Sequence, residues 1–202
     1  MDDQVLAAMA RWPDVPAAYG WLSLDGRGAL RLHPGGDSAQ GGAGTAITHP
    51  GIQQFLRRNY ASDAQGAWYV QNGPQRAYVR LDAAPWILRR DDAGTGLLDH
   101  AGRALATVQA WWLDEVEGHL YAATDAGAAR VDDRDLAALL AGLHGADGQA
   151  LIDRLEAPLP DAGIVLTAGP GTAADTRIRP LGGRDAASVL GFVRQPAPPV
   201  KP

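Results

Sequence analysis

A series of turn signals constrains the fold of this chain more than any other feature of the sequence. Short apolar runs are separated by segments in which an acidic residue precedes glycine, as in Asp25-Gly26, and the segments 91–94, 97–105 and 111–121 repeat this arrangement. The later signals recur roughly every dozen residues, a spacing typical of consecutive β-hairpins. The sequence therefore predicts an α+β protein built mainly from an antiparallel β meander, which curls into a barrel or forms two packed sheets.

Helical periodicity interrupts the meander and predicts three to four short helices. The segments with this periodicity are 2–12, 48–60, 132–145 and 147–158. Thr48 is the expected N-cap of the second helix, because Pro50 then falls in the first turn. A strand is expected at 188–193, and the glycine-rich segment 33–44 is expected to be a mobile loop.

The chain has 202 residues, of which 46% are hydrophobic, and this is enough for a substantial core. We expect a single globular domain over 1–194, or alternatively two β-rich halves over about 1–90 and 91–194. The proline-rich segment 195–202 is expected to be a disordered tail.

Composition excludes several classes of function. The chain has no cysteine, so thiolate metal sites and thiol nucleophiles are excluded, and none of its five histidines shows paired metal-ligand spacing. A net charge of −5 without basic runs argues against nucleic-acid binding. No apolar run approaches the roughly 18 residues of a membrane span. The sequence predicts no cofactor. The segment 169–174 matches the glycine pattern of dinucleotide-binding proteins, but no helix and no βαβ unit are expected around it. A cytoplasmic location is the default expectation.

The segment 66–81 supplies the main candidate site. Centring the hairpin on Gly73 and Pro74 sends indole and aliphatic side chains to one face, and phenol and guanidinium groups outward on the other. The side chains expected on the second face are Tyr69, Gln71, Arg76, Tyr78 and Arg80. Aromatic rings and guanidinium groups together can bind a planar or anionic group. The alternative is an ordinary solvated face, or one packed under the 48–60 helix with its arginines paired to aspartates.

Three hypotheses of function follow. The first is a non-enzymatic module that recognises a small anion or a protein partner through this face. The second is a small hydrolase-type enzyme without metal, using His49, Asn59 and Asp63 near the 48–60 helix. The third is an oligomer subunit whose apolar sheet face is covered by its own copy. No catalytic residue is assigned, and whether the protein is an enzyme stays open, with the binding module preferred.

Several sequence strings resemble a family of uncharacterised proteobacterial proteins, a domain of unknown function of about this length. The strings run from Trp12-Pro13 to Leu22, from Ile47 to Phe55, from Arg58 to Gly66, from Trp68 to Arg76 and through Ala84-Pro85-Trp86. The resemblance is strongest over 12–90 and covers most of the chain. It implies a cytoplasmic bacterial protein, and it brings no activity, cofactor or catalytic residue.

Overall fold

A computed structural model describes residues 1–199. The chain folds into two compact units, the first comprising Met1–Ala83 with the described residues from Gly191 onward, and the second comprising Ala84–Leu190. The predictions of a single domain over 1–194 and of a disordered tail over 195–202 stay predictions, and residues 200–202 of that tail lie outside the described residues.

The first unit is built on one mixed sheet of six strands. In chain order these are β1 (Ala18–Leu24), β2 (Leu30–Leu32), β3 (Thr45–Ala46), β4 (Tyr60–Ser62), β5 (Trp68–Asn72) and β6 (Gln75–Leu81). Their order in the sheet is β3-β2-β1-β6-β5-β4. Neighbouring strands are antiparallel except β1 and β6, which run parallel. The predicted hairpins are therefore present, and a long-range parallel pair joins them at the centre of the sheet.

Two helices belong to this unit, α1 (Asp3–Arg11) and α2 (Pro50–Arg58). The expected N-cap of α2 is wrong by one residue: the cap is His49, whose Nδ1 accepts a hydrogen bond from the backbone N–H of Ile52. Pro50 occupies the first turn as expected. The α1 helix buries only Val5, although its sequence shows a longer apolar face.

The second unit contains a mixed sheet of nine strands. These are β7 (Trp86–Arg90), β8 (Leu97–Asp99), β9 (Ala104–Leu105), β10 (Val108–Asp114), β11 (His119–Thr124), β12 (Gly127–Val131), β13 (His144–Gly145), β14 (Ile164–Ala168) and β15 (Arg177–Pro180). The order is β13-β14-β15-β10-β11-β12-β7-β8-β9. The pairs β10–β15 and β7–β12 are parallel, and the others are antiparallel. Trp111, at the centre of β10, is fully buried.

Helix α3 (Asp133–Gly142) is confirmed with Asp132 as its N-cap. The predicted helix at 147–158 is reduced to a 3-10 turn, Leu151–Arg154. The expected strand at 188–193 is wrong, because α4 (Ala186–Leu190) occupies its first part. Residues 1–199 form four helices and two sheets, which confirms the α+β class. Among residues 1–199, no helix combines the length and the apolar character needed to cross a bilayer.

Candidate functional site

The hairpin of β5 and β6 has the register predicted from the sequence. The residues paired directly across it are Tyr69 with Tyr78, Val70 with Ala77, Gln71 with Arg76, and Asn72 with Gln75. Only Gly73 and Pro74 connect the strands, and Gly73 has a φ of 57°, a left-handed conformation that glycine adopts without strain. Because side chains alternate along each strand, the five predicted site residues lie on one face of the hairpin.

Other parts of the first unit cover much of that face. Tyr69 is only 6% exposed and Arg80 only 9%, so the expected outward orientation is wrong for both side chains. Gln71 is 1% exposed, Tyr78 is half-buried, and Arg76 is exposed. The five residues therefore have different environments.

Arg80 holds a loop against the sheet. Its guanidinium forms a salt bridge of 2.7 Å with Asp82. Its Nη1 and Nη2 also donate hydrogen bonds to the backbone carbonyls of Ser38 and Gly42, respectively. The segment 33–44, expected to be mobile, is thus fixed at two points, and it also contains a 3-10 turn at Ser38–Gln40. We therefore assign Arg80 to the structure of the unit.

Tyr78 lies at the centre of an aromatic cluster. Its ring stacks on Tyr19 with a centroid distance of 4.7 Å and meets Tyr69 edge to face at 5.7 Å. Its hydroxyl donates a hydrogen bond of 2.9 Å to Asp63 Oδ2. Burial, followed by the hydrogen bond to Asp63, raises the pKa of the Tyr78 phenol, and a hydrogen bond from Arg76 partly offsets this. Tyr78 is therefore a neutral donor at physiological pH.

Arg76 is the exposed arginine of the hairpin, and it donates a hydrogen bond to the Tyr78 hydroxyl. Its guanidinium lies over the Tyr69 ring, 4.7 Å from the centroid. It forms no salt bridge with any carboxylate in the described part of the chain. Tyr69 thus positions the guanidinium by a cation–π contact, and the charge remains available.

A cavity of about 450 Å³ opens beside these side chains. Its lining consists of Met9, Trp12, Pro13, Val15, Ala17, Gln71, Pro74, Arg76 and Tyr78. We call it the Gln71 cavity. The Nε2 of Gln71 donates to the carbonyl of Gly73 at 2.9 Å, whereas its buried Oε1 has no hydrogen-bond partner among residues 1–199. A concave site with apolar walls and three polar side chains has the features of a small-molecule site.

The wall formed by α1 and the segment after it was not predicted as part of a site. The sequence places Met9 and Trp12 on one apolar face of a helix, and such a face is expected to pack in the core. In the structure Trp12 is 50% exposed and lines the cavity. The signal that could have found this wall is the Trp12-Pro13 step, where an aromatic residue ends the helix beside a proline.

The three secondary candidates have structural roles. Asn59 is buried: it accepts the Asp2 backbone N–H at 2.9 Å and donates to the Phe55 carbonyl at 3.0 Å. Asp63 accepts two backbone N–H groups in its turn and the Tyr78 hydroxyl, and His49 caps α2. None of the three lines the Gln71 cavity. Among residues 1–199, no hydrogen bond joins any two of the three.

A serine–histidine pair elsewhere in this unit was not predicted. Ser23 Oγ lies 2.9 Å from His33 Nε2, and His33 Nδ1 lies 3.9 Å from Asp37. The succession of a serine, a histidine and an aspartate resembles a catalytic triad. However, Ser23 is fully buried and His33 is only 3% exposed, so a substrate cannot reach the hydroxyl. The pair helps to fix the start of the 33–44 loop.

A larger apolar groove of about 630 Å³ lies between the sheet and α2. Trp21, Leu32 and Ile52 line it and are each at least 40% exposed. Its lining contains no charged residue. The Gln71 cavity differs from this groove, because its lining includes the Arg76 guanidinium and a glutamine whose Oε1 has no hydrogen-bond partner among residues 1–199.

Comparisons with known proteins identify a family but no activity. The DUF2944 family model, described as "Protein of unknown function (DUF2946)", matches residues 1–197. No curated protein matches the chain. Among solved structures, the chain is similar to the crystal structure of a DUF1285 family protein from Silicibacter pomeroyi DSS-3, with 15% sequence identity and a TM-score of 0.49. That similarity covers 78% of this chain and 100% of the other.

Proposed function

This chain belongs to the DUF2944 family of proteins of unknown function, and we propose that it is a non-enzymatic binding module for a small organic anion with a planar or apolar body. The observation that carries this proposal is the Gln71 cavity, which brings Gln71, Arg76 and Tyr78 together. These are three of the five residues that the sequence predicts as a site.

Arg76 supplies the affinity for an anion. A guanidinium offers paired N–H donors that match a carboxylate or a phosphate. Hydrogen bonds to a charged partner contribute about 1.5–3 kcal/mol, or roughly one to two powers of ten in Kd. Because Arg76 is held over Tyr69 and has no carboxylate partner in the described chain, it needs little rearrangement to bind.

The remaining walls favour a small molecule with an apolar body. Trp12, Pro13 and Met9 supply apolar surface to the cavity lining. A volume of about 450 Å³ suits a compact ligand better than a flat protein surface. The lining contains no serine, histidine or carboxylate that could act as nucleophile or base. This composition supports binding rather than catalysis.

Calorimetric titration with four probes, benzoate, phenylacetate, hippurate and inorganic phosphate, tests the proposal. We expect at least one of the carboxylates to bind, and Arg76→Gln to weaken it by about tenfold or more. Arg57→Gln is the matched control, because Arg57 is exposed on α2 and the charge change is identical. Binding that is insensitive to Arg76→Gln, or equally sensitive to Arg57→Gln, would contradict the proposal, as would the absence of binding by all four probes.

The other hypotheses stay predictions. Self-association through an apolar sheet face is tested by light scattering of the purified chain. We also propose a bacterial origin and a cytoplasmic location. Fractionation of the cells that produce the protein tests the location. A metal-independent hydrolase would need a substrate to reach His49, Asn59 or Asp63, which already make the structural contacts described above.

A further inference from the structure

We propose that the ligand of the Gln71 cavity carries a hydrogen-bond donor, an N–H or O–H group, close to its acid group, and that Gln71 Oε1 accepts this donor. The inference rests on the proposed function and narrows it to one class: hydroxy acids and N-acylated amino acids, as opposed to simple carboxylates. It is carried by the unpaired atom of Gln71, which is independent of the charge on Arg76.

The orientation of the Gln71 amide is determined by its neighbour. The carbonyl of Gly73 can only accept, so the amide group that faces it at 2.9 Å must be the Nε2 donor. The atom left without a partner is therefore the carbonyl oxygen Oε1. An oxygen of this kind accepts N–H or O–H groups and repels carboxylates.

Burial makes this unpaired oxygen informative. Gln71 is 1% exposed, and buried polar atoms without a partner are rare because they lose their hydration on folding. An apolar residue of similar length would fill the position without that loss. Gln71 lines the cavity, but Oε1 itself has almost no exposed surface in this conformation. A ligand donor therefore reaches this oxygen when the side chains that cover it move aside, and the hydrogen bond formed then satisfies the buried acceptor.

Strand pairing sets the distance between the two groups that the ligand must satisfy. Gln71 and Arg76 are direct partners across the hairpin, and they lie on the same face. Side chains at such positions start about 5 Å apart. The donor and the acid group of the ligand must therefore be separated by a few bonds only, as in a 2-hydroxy acid or an acylated amino acid.

Matched probes separate this inference from the proposed function. Mandelate, phenylacetate and O-methylmandelate share one aromatic acid and differ in the hydroxyl: present, absent, or blocked by a methyl group. Hippurate and N-methylhippurate make the same comparison for an amide N–H. We expect mandelate or hippurate to bind at least about tenfold more tightly than its donor-free analogues, because a site built around a hydrogen bond rejects ligands that cannot form it.

The variant Gln71→Met removes the acceptor and keeps the approximate volume. We expect it to reduce the preference for the donor-bearing probe to within about twofold, while binding of phenylacetate stays dependent on Arg76. Gln71→Glu provides a second variant, whose added negative charge should weaken every anionic probe. Circular dichroism checks that each variant is folded.

The outcomes are distinguishable. Equal affinities for mandelate, phenylacetate and O-methylmandelate in the native protein, with both hippurates also equal, would overturn this inference and leave the proposed function standing. A preference that persists in Gln71→Met would also overturn it, since another group would then accept the donor. If no probe of either series binds, the proposed function and this inference both fail.

Discussion

The two ends of β6 carry the same residue type on the same face and use it in opposite ways. Arg80, at one end, is buried and bonded to Asp82, Ser38 and Gly42. Arg76, toward the hairpin turn, is exposed and makes a cation–π contact with Tyr69. Alternation along the strand determines which face an arginine occupies, whereas the segments that cover that face determine what the arginine does.

The difference between the two ends comes from what covers them. At the Arg80 end, the 33–44 loop presents backbone carbonyls, which need donors. At the Arg76 end, α1 and the segment after it present the side chains of Met9, Trp12, Pro13, Val15 and Ala17, none of which is a carboxylate. The first end therefore becomes a structural anchor, and the second leaves a cation and an unpaired amide oxygen beside a cavity.

The largest expected effect is on stability, at the anchoring end. Arg80→Ala leaves the carbonyls of Ser38 and Gly42 and the carboxylate of Asp82 without their donor. Breaking a buried charge pair costs about 3–5 kcal/mol, and we expect about 3 kcal/mol here because Asp82 is partly exposed. Urea denaturation measures the loss of unfolding free energy. Arg80→Lys keeps the positive charge but not the planar set of guanidinium N–H donors, so it should lose less unfolding free energy than Arg80→Ala. A loss below about 1 kcal/mol in Arg80→Ala would remove the contrast between the two ends of β6.

An intermediate effect is expected at Tyr78, which lies between the two arginines in the strand. Tyr78→Phe removes the hydroxyl that donates to Asp63 and keeps the ring that stacks on Tyr19. A hydrogen bond to a charged acceptor contributes about 1.5 kcal/mol or more, but this one is only partly buried, so we expect a loss of about 1 kcal/mol. Thermal unfolding measures it. Tyr19→Phe is the matched control. It should have a smaller effect, because the hydroxyl that donates to Asp63 belongs to Tyr78 and is kept in this variant.

The same hydroxyl predicts the behaviour of the protein in alkali. Burial and the bond to Asp63 raise the pKa of Tyr78 above its ordinary value of 10.0. A group whose pKa is higher in the folded state stabilises it fully below the unfolded pKa, and this contribution is lost as the pH rises through the folded pKa. We expect stability to fall above about pH 10, and to fall less steeply in Tyr78→Phe. Urea denaturation across this range tests the prediction, and identical slopes for the two proteins would contradict it.

The register of this hairpin was predictable because its signals are local. Asn72, Gly73 and Pro74 mark the turn, and apolar alternation around them leaves one register that buries Trp68 and Val79. The α+β class follows from similar local signals repeated along the chain. The parallel pairing of β1 with β6 was not predictable, since it joins strands separated by about 50 residues and no turn connects them.

The function of individual site residues was also beyond local signals. Arg76 and Arg80 are equivalent by alternation, and the partners that distinguish them include the carbonyls of a loop some 40 residues earlier in the chain. The apolar wall of the Gln71 cavity could not be predicted for a related reason. Trp12 fits the pattern of a core-facing helix, and whether such a face is fully covered depends on tertiary packing, which periodicity does not encode.

The smallest stability effect is expected at the binding end, and it tests the comparison most directly. Arg76→Gln removes a guanidinium that contributes an exposed cation–π contact with Tyr69 and a solvent-accessible hydrogen bond to Tyr78, so the loss of unfolding free energy should be about 0.5–1 kcal/mol. Urea denaturation gives this value, and calorimetry of the same variant gives the loss of anion binding. Arg57→Gln supplies the background for a neutralised exposed arginine. A loss approaching that of Arg80→Ala would show that Arg76 is also a structural anchor, and the two ends of β6 would then differ in exposure but not in role.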